Sequence, residues 1–307
     1  MERGLEPIVE TVDVRAALKE GIARLRAAGV PSDTLAAELL LMHALGRDRT
    51  WLYTNPEHPL AAGESEKFFA LVARRAVGEP TQYLTGKQEF WSLEFEVTPA
   101  VLIPRPETEH VVEVALERLG ERGIKINMKT GDPSPTLRIA DVGTGSGCLA
   151  VALAHELPHS EIVATDISAP ALEVARRNAA RHHVSDRMRF VQANLLENVS
   201  AEPCLFDLIV SNPPYIAREE AASLPAEVRE HEPHSALFGG PTGVEIYEEL
   251  IKQAGTQLYP RGILVLELGY NSADAVHKML HGDRRWANIS ITNDLAGIPR
   301  IIAAERV

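Results

Sequence analysis

Strand-like and helix-like segments alternate along the chain beyond residue 136, and this alternation constrains the possible folds more than any other feature. Such alternation is typical of a doubly wound α/β fold with a mostly parallel sheet. The predicted strands are 137–142, 161–166, 188–193, 206–211, 262–268, 288–292 and 300–305, and the predicted helices between them are 148–157, 169–183, 244–258 and 273–280. The last two strands fit a closing antiparallel pair, so the sheet is predicted to have seven strands.

The first part of the 307-residue chain has a different pattern. Residues 12–78 carry apolar side chains at helical spacing, which predicts a small all-helical bundle for packing or for recognition of a partner. Beyond it, Leu93 and Phe95 alternate with charged residues, as in a half-buried strand of a β-hairpin. The predicted domains are a helical bundle over 1–80, a hairpin linker over 81–105 and the α/β domain over 106–307.

The composition excludes several classes of function. With 31 basic and 43 acidic side chains the net charge is −12, and an acidic surface repels phosphate backbones, so nucleic acid is disfavoured as a partner. The longest apolar run, near 148–154, is far shorter than the ~18 residues of a membrane span, and the chain starts with acidic residues. We therefore expect a cytoplasmic protein without a membrane partner. Cys148 and Cys204 lack ligand spacing, so we expect no metal site.

The clearest ligand-binding pattern is a glycine-rich segment between the first strand of the α/β domain and the following helix. Glycines there tolerate positive φ and let the backbone approach a ligand, and the helix N-terminus offers free N–H groups. The spacing is GxGxG rather than the GxGxxG of nicotinamide-binding folds, which favours a ligand other than a pyrophosphate. A turn that serves only packing is the alternative. The candidate cofactor-binding residues here are Asp141, Gly143, Thr144, Gly145, Ser146 and Gly147.

Polar residues also follow the next two predicted strands. Asp166 ends the second strand, where a carboxylate can accept hydrogen bonds from both hydroxyls of a ribose. The alternative for Asp166 is a helix cap, which Ser168 could supply equally well. Asn194 follows the third strand and offers an amide suited to an adenine edge, although Asn is also a common turn residue. These positions favour a nucleoside ligand.

The decisive motif is Asn212-Pro213-Pro214-Tyr215 at the end of the fourth strand, which we expect to be an edge strand of the ligand crevice. Two prolines fix the backbone and remove competing N–H groups. The Asn212 side-chain oxygen and the Pro213 carbonyl can then converge on one planar donor. Such a pair of acceptors suits an NH2 group.

Together these residues resemble class I S-adenosylmethionine-dependent methyltransferases that act on a planar nitrogen. Two further segments, 83–91 and 102–109, closely resemble the protein-(glutamine-N5) methyltransferases that modify peptide-chain release factors. Segments 229–237 and 294–300 are similar to late parts of that family, and the resemblance covers most of the chain. The family's layout is a helical bundle, a hairpin linker and a catalytic domain.

The resemblance implies S-adenosylmethionine as methyl donor and the side-chain amide nitrogen (N5) of a release-factor glutamine as acceptor. It assigns donor binding to the glycine-rich segment and to Asp166, Asn194, Leu195 and Asn212. The family usually has Asp where Asn194 stands, often followed by an aromatic residue larger than Leu195. The adenine pocket is therefore the part of the site where this chain departs from the family.

The Asn-Pro-Pro-Tyr turn is assigned to the acceptor. Asn212 and Pro213 are predicted to hold the amide NH2, and Tyr215 is predicted to form a wall of the pocket beside the amide or the donor. These three are the predicted catalytic residues, and Pro214 completes the substrate-binding turn.

Other functions remain open from the sequence alone. A related family methylates a glutamine of a ribosomal protein. DNA adenine-N6 methyltransferases share the motif because adenine also presents an NH2 group, but they need a basic groove and a base-flipping pocket. A dinucleotide-linked oxidoreductase fits the GxGxG spacing poorly. A non-catalytic scaffold that binds ribosomal factors leaves the Asn-Pro-Pro-Tyr turn without a purpose.

Two stretches, 125–135 and 217–243, are predicted to be loosely structured. Within the second, His231, Glu232 and His234 are expected in a solvated loop near the substrate mouth, because further metal ligands lack suitable spacing. Charged residues in the stiff loop before the first α/β helix are either helix caps or groups beside the donor. They are Arg105, Glu107 and Glu109.

Overall fold

The structure, a computed structural model, describes residues 12–124, 136–199 and 205–307. The chain divides into two compact units, Met1–Gly86 and Lys87–Val307. The finer division into bundle, linker and α/β domain stays a prediction. In the described residues, no helix has both the length and the apolar character needed to cross a membrane.

Within its described part, the first unit consists of five α-helices. The side chains of Asp13 and Asp48 cap two of them by accepting from the backbone N–H three residues later, each at 2.7 Å. A Cβ on Gly21 would lie 2.5 Å from the buried Phe68 ring, so the glycine allows the first and fourth helices to approach closely. The helices are α1 (Val14–Ala27), α2 (Asp33–Leu45), α3 (Arg49–Thr54), α4 (Ala62–Ala76) and α5 (Thr81–Thr85).

The second unit begins with the predicted hairpin. Strands β1 (Lys87–Phe90) and β2 (Leu93–Glu96) pair antiparallel. Phe90 and Phe95 are buried and meet edge to face with ring centroids 6.1 Å apart. The alternation of apolar and charged residues therefore predicted this hairpin correctly.

The remaining elements of the second unit include every strand and helix that the sequence predicts, together with two short strands and one short helix that it does not. The strands are β3 (Leu137–Val142), β4 (Ser160–Asp166), β5 (Met188–Gln192), β6 (Phe206–Ser211), β7 (Ile216–Ala217), β8 (Phe238–Gly240), β9 (Leu258–Glu267), β10 (Trp286–Asn293) and β11 (Pro299–Arg306). The helices are α6 (Glu109–Glu121), α7 (Cys148–Glu156), α8 (Ala169–Arg181), α9 (Ala226–His231), α10 (Glu245–Gln257) and α11 (Ala273–Gly282).

Seven of these strands form one sheet, in the order β10-β11-β9-β6-β3-β4-β5. Strands β3, β4, β5, β6 and β9 run parallel, and β11 pairs antiparallel with both β9 and β10. This arrangement confirms the predicted doubly wound α/β fold with a mostly parallel seven-stranded sheet.

The central strands are apolar on both faces because helices cover both sides of the sheet. Ile139 and Leu208, paired on β3 and β6, are fully buried in the core that includes α6 and α7. Their neighbours Ala140 and Ile209 are fully buried in the other core, with α10 and α11. The carboxyl ends of β3 and β6 are thereby fixed side by side.

Two expectations about this unit were wrong. β6 lies inside the sheet, between β3 and β9, and is not an edge strand. The stretch 217–243 is not loosely structured, because it contains α9 and because β7 pairs in parallel with β8. The other stretch for which loose structure was predicted, 125–135, lies outside the described residues.

Candidate functional site

The segments after β3, β4, β5 and β6 surround a cavity of about 220 Å³ at the carboxyl edge of the sheet. This is where ligands bind in open α/β sheets. Asp141, Gly147, Pro213 and Tyr215 are not part of its lining. The predicted site residues that do line it are Gly143, Thr144, Gly145, Ser146, Asp166, Asn194, Leu195, Asn212 and Pro214.

The glycine-rich segment forms one wall of the cavity. Gly143 and Gly145 adopt left-handed φ values of 72° and 54°, which favour glycine over other residues. A Cβ built on either residue meets no atom within 4 Å, so both glycines border open space. Gly147 differs, because its Cβ would lie 3.1 Å from that of Ala175 on α8. Gly147 therefore serves helix packing in this structure, whereas Gly143 and Gly145 leave room for a ligand.

Asp141 lies beneath this segment and is fully buried. Its Oδ2 accepts hydrogen bonds from the Thr144 hydroxyl at 2.6 Å and from the Ala150 backbone N–H at 3.1 Å. Burial raises the pKa of Asp141 to about 7, although these two hydrogen bonds oppose the rise. Asp141 thus holds the glycine-rich segment and the start of α7 in place through these two hydrogen bonds.

Asp166 lines the cavity at the end of β4. Its two oxygens accept from the backbone N–H groups of Gly145 at 2.9 Å and Ser168 at 2.8 Å. Burial raises the pKa of the Asp166 carboxyl, against the effect of these hydrogen bonds. Helix α8 is capped by the Ser168 side chain instead, so the cap that was an alternative role for Asp166 is supplied by its neighbour. A carboxylate has about four acceptor sites, which leaves capacity for a ligand.

Asn194 and Leu195 form the cavity wall after β5. The Asn194 side-chain NH2 donates to the Glu197 carboxylate at 3.0 Å. Leu195 adopts a left-handed φ of 54°, which is uncommon for a branched side chain. The local backbone thus turns sharply here, and both residues border the same cavity as Asp166.

Asn212 follows β6 and also lines the cavity. The Ser211 hydroxyl donates to the Val142 carbonyl at 2.7 Å and so ties the turn to β3. The Asn212 side-chain NH2 donates to the Thr108 hydroxyl at 3.0 Å. Pro214 also lines the cavity, whereas Pro213 is buried outside its lining. The structure therefore brings Asn212 into one cavity with the glycine-rich segment and Asp166.

Tyr215 points away from this cavity and lines a second one. Its hydroxyl donates to Glu267 Oε1 at 3.3 Å. Burial, together with the nearby Glu267 charge, raises the pKa of Tyr215. The prediction that Tyr215 forms a wall of the ligand cavity is thus not met in this structure, because the strand-end turn directs the ring toward β9.

Two glycines after β7 pack directly on the Asn-Pro-Pro-Tyr turn. A Cβ on Gly239 would collide with the carbonyl oxygen of Pro214, and one on Gly243 would collide with that of Tyr215. Neither obstacle is a flexible side chain. The turn therefore rests on backbone that leaves no space for a side chain.

We expect Gly239→Ala to lower the free energy of unfolding by about 1 to 3 kcal/mol, because the added methyl group must displace backbone. The displaced turn should also slow the reaction of this site. Chemical denaturation measures the first effect. Gly63→Ala is the matched control, because its Cβ would meet no atom within 4 Å in helix α4. A Gly239→Ala protein as stable as this control would contradict the close packing.

An ion pair connects Arg105, which lines the cavity, with Glu232, which directly precedes the cavity-lining Pro233. Glu232 is buried, contacts the guanidinium of Arg105, and accepts from the Ile103 backbone N–H at 3.3 Å. The expectation that Glu232 lies in a solvated loop was wrong, because a partner 127 residues away in the sequence draws it inside. The Glu109 carboxylate likewise accepts a hydrogen bond from a backbone group, the N–H of Trp91, at 2.7 Å.

Two residues of the site were missed from the sequence. Thr108 and Glu267 are both buried, and the Thr108 hydroxyl donates to Glu267 Oε2 at 2.6 Å. Burial raises the pKa of Glu267 to about 7, while Thr108 and the Arg300 charge lower it. A carboxylate at the carboxyl end of an otherwise apolar strand was the available signal. Among residues 12–124, 136–199 and 205–307, no cluster of His, Cys, Asp and Glu is arranged to hold a metal ion.

Comparison with protein families finds two matching regions. The family model described as PrmC N-terminal domain matches residues 16–86. The one described as Methyltransferase small domain matches residues 122–228. The first match falls within the helical unit, and the second covers the segments that carry the glycines, Asp166 and Asn212.

Several curated proteins are similar over nearly their full length. The release factor glutamine methyltransferase of Koribacter versatilis is 43% identical over 294 residues, which are 95% of this chain and 98% of that protein. The protein of the same description from Moorella thermoacetica is 42% identical over 293 residues, with the same two coverages. Among solved structures, the hMettl16 catalytic domain in complex with a MAT2A 3'UTR hairpin has a TM-score of 0.54 at 18% identity, covering 76% of this chain and 80% of that one. At this identity the structural likeness concerns the fold alone.

Proposed function

The chain belongs to the release factor glutamine methyltransferase family, and on that premise we propose which of its residues bind the donor and which orient the acceptor. The enzyme transfers a methyl group to the side-chain amide nitrogen of a glutamine in a peptide-chain release factor. The observation that carries the assignment of residues is the position of Asn212. It lies in the wall of the cavity that the glycine-rich segment and Asp166 also line.

S-adenosylmethionine is the donor that we propose for this cavity. When bound, it supplies an electrophilic methyl group on a sulfonium centre. The open space at Gly143 and Gly145 fits a ligand lying against backbone, and the free acceptor capacity of Asp166 fits the two hydroxyls of a ribose. Asn194 and Leu195 would contact the adenine. The chemistry of this donor set thus suits a nucleoside with a polar tail.

Asn212 is the residue that we propose to orient the acceptor. An amide nitrogen is a poor nucleophile because its lone pair is delocalised into the carbonyl group. Acceptors aimed at its N–H groups hold the nitrogen in place and stabilise the charge that develops on it. The Asn212 Oδ1 and the Pro213 carbonyl are the acceptors proposed for this purpose, although the Pro213 ring is buried outside the cavity lining. The reaction needs no dedicated base, since the proton can leave after the methyl group has been transferred.

The experiment that tests this function offers the enzyme labelled donor with three acceptors: a full-length release factor, duplex DNA and a ribosomal protein. We expect label only on the release factor, with peptide mapping that locates it on a glutamine side chain. A release factor whose acceptor glutamine is changed to asparagine is the control and should remain unlabelled. Label on adenine, or on no acceptor, would contradict the proposal. Such an acceptor also implies that the enzyme works in the cytoplasm, where translation terminates.

We propose that the first unit recognises the body of the release factor. A groove of about 480 Å³ in this unit combines apolar side chains of α1 and α3 with cationic ones. Leu18, Ile22 and the exposed ring of Tyr53 supply apolar surface, and Lys19 is exposed among them. Arg15 and Arg26 of the groove pair with Glu57 and Asp33, whereas Lys19 has no ion-pair partner within the described residues. An exposed lysine beside apolar side chains favours an acidic, partly apolar segment of the partner.

Charge reversal tests this recognition. We expect Lys19→Glu to lower kcat/KM for the full-length release factor by about 3- to 10-fold, because rim charges act mainly on association. A short glutamine peptide should be methylated at the unchanged rate, since it lacks the body of the release factor that the first unit is proposed to recognise. Lys67→Glu is the control, another exposed lysine of the same unit that lies outside the groove and donates to the His43 carbonyl at 3.3 Å. Equal losses for both variants, or for both acceptors, would count against the groove.

A further inference from the structure

A chain of hydrogen bonds leads from the acceptor-orienting amide into the protein interior. The Asn212 NH2 donates to Thr108 Oγ1 at 3.0 Å, and the Thr108 hydroxyl donates to Glu267 Oε2 at 2.6 Å. The relative exposure of Thr108 is 2% and that of Glu267 is 1%. The three residues come from the end of β6, from the turn before α6 and from the end of β9. Thr108 lines the cavity proposed for the donor and Glu267 does not, and neither is among the proposed donor contacts.

The chemistry of these groups determines which atom donates in each of the two hydrogen bonds. An ionised carboxylate can only accept hydrogen bonds, so the single proton of the Thr108 hydroxyl points at Glu267. The Thr108 oxygen then has only lone pairs to offer to Asn212. The amide must therefore present its NH2 to Thr108, and its Oδ1 remains for another partner. With the amide turned over, two acceptors would face each other in a buried place, which is costly.

We infer that Glu267, acting through Thr108, is a positioning residue that fixes the orientation of the Asn212 amide and keeps Oδ1 available to the acceptor NH2. The inference rests on the proposed function, because it supplies the reason why the Asn212 oxygen is the atom presented. Neither residue touches the reacting atoms. Thr108 and Glu267 favour one of the two orientations of the Asn212 amide, which differ by a 180° rotation and have nearly the same shape.

The surroundings of Glu267 keep its carboxylate in place. Oε1 accepts from the Tyr215 hydroxyl at 3.3 Å, so both oxygens have a donor. The Tyr247 hydroxyl donates to the Glu267 backbone carbonyl at 2.8 Å. The titratable and charged groups that interact electrostatically with Glu267 are Glu107, Cys148, Tyr215, Tyr247 and Arg300.

A pH dependence follows from this environment. Burial raises the pKa of Glu267 to about 7. Above that pH the carboxylate can only accept, so Thr108 must donate to Glu267 and Asn212 must donate to Thr108. Below it the carboxyl carries a proton that it can donate to Thr108, so the hydroxyl is free to donate to Asn212 Oδ1 instead. The rate at saturating substrates should therefore fall as the pH drops through about 7.

Thr108→Val and Thr108→Ser form the test pair. We expect the valine variant to lose about 10- to 100-fold in single-turnover rate at saturating substrates, with donor affinity unchanged, because only the orientation of Asn212 is disturbed. The serine variant keeps the hydroxyl and should restore the rate. Thr165→Val is the matched control. It removes another fully buried hydroxyl, whose oxygen has no hydrogen-bond partner within the described residues, and should leave the rate unchanged.

Glu267→Gln supplies the pH readout. A glutamine can present either its oxygen or its NH2 to Thr108 and does not titrate. This variant should therefore lose the fall on the acid side, and its rate should be the same on both sides of pH 7. If Glu267→Gln does not fold, the Thr108 pair still decides the matter. Equal losses in Thr108→Val and Thr165→Val, or a wild-type rate in Thr108→Val, would overturn the inference.

A second measurement does not depend on which acceptor the enzyme uses. In 15N-labelled protein without substrate, the Asn212 side-chain NH2 should exchange its hydrogens about tenfold faster in Thr108→Val than in wild type or Thr108→Ser, because a hydrogen bond is lost. Unchanged exchange would overturn the inference even in an active enzyme. If wild type methylates no release factor while the exchange rates differ as expected, the proposed function fails and the positioning role stands.

Discussion

Replacing Asn212 with alanine should slow methyl transfer by roughly 100- to 1,000-fold at saturating donor and acceptor, while most donor affinity remains. The side chain supplies a positioned acceptor for the amide NH2, and alanine supplies none. Its partner Thr108 is buried, so the change also leaves the Thr108 oxygen without a donor. Single-turnover measurements, which separate the chemical step from product release, are the appropriate assay.

Asn212→Asp sharpens this prediction. Aspartate keeps an acceptor oxygen but cannot donate to Thr108, and its negative charge lies in the wall of the donor cavity. The charge stabilises a cationic donor more than a transition state in which that charge is dispersed, so binding can tighten while turnover falls. We expect a rate close to that of the alanine variant. A near wild-type rate in Asn212→Ala would remove the turn from the mechanism.

Donor binding should depend most on Asp166. We expect Asp166→Ala to weaken the affinity for S-adenosylmethionine by roughly 30- to 150-fold, which corresponds to about 2 to 3 kcal/mol for charge-assisted hydrogen bonds to two hydroxyls. The same carboxylate accepts from Gly145 and Ser168, so part of the loss comes from the loosened glycine-rich segment. Calorimetric titration measures the total.

Asp166→Asn separates the two contributions. Asparagine has the same shape and keeps one acceptor oxygen, but it lacks the charge and can hold only one of the two backbone N–H groups. An intermediate affinity is expected. The melting temperature of each variant, measured without donor, reports how much the loss of hydrogen bonds to the glycine-rich segment destabilises the protein. Unchanged donor affinity in Asp166→Ala would exclude Asp166 from the site.

Patterns that are local in the sequence predicted most of the fold. The four central parallel strands, β3, β4, β6 and β9, could be located because parallel strands covered on both faces contain continuous apolar runs. Their ends were less exact, as at β9, which begins at Leu258 rather than at 262. Leu258 is buried, but the next three residues are exposed, and they interrupt the apolar pattern before the run that starts at 262.

The site was predicted in part, for the same reason. The glycines, Asp166 and Asn212 each follow a strand, so the topology of the fold gathers them at one edge. Thr108 and Glu267 could not be paired from the sequence, because 159 residues separate them. The direction of Tyr215 depends on its contact with Glu267, which is 52 residues away. Long-range pairs of this kind arise from packing, and no local spacing encodes them.

The pairing of Val142 with Ser211 has a consequence for how the two halves of the site are held together. One residue ends the strand before the glycine-rich segment, and the other ends the strand before Asn212. Neighbouring strands are about 4.8 Å apart in every sheet. The spacing between the strand ends that carry the proposed donor-binding and acceptor-binding residues is therefore set by β-structure rather than by the choice of side chains. Substitutions in the two segments can change which ligand groups they bind, but the distance between the ends of β3 and β6 stays the same as long as the sheet is folded.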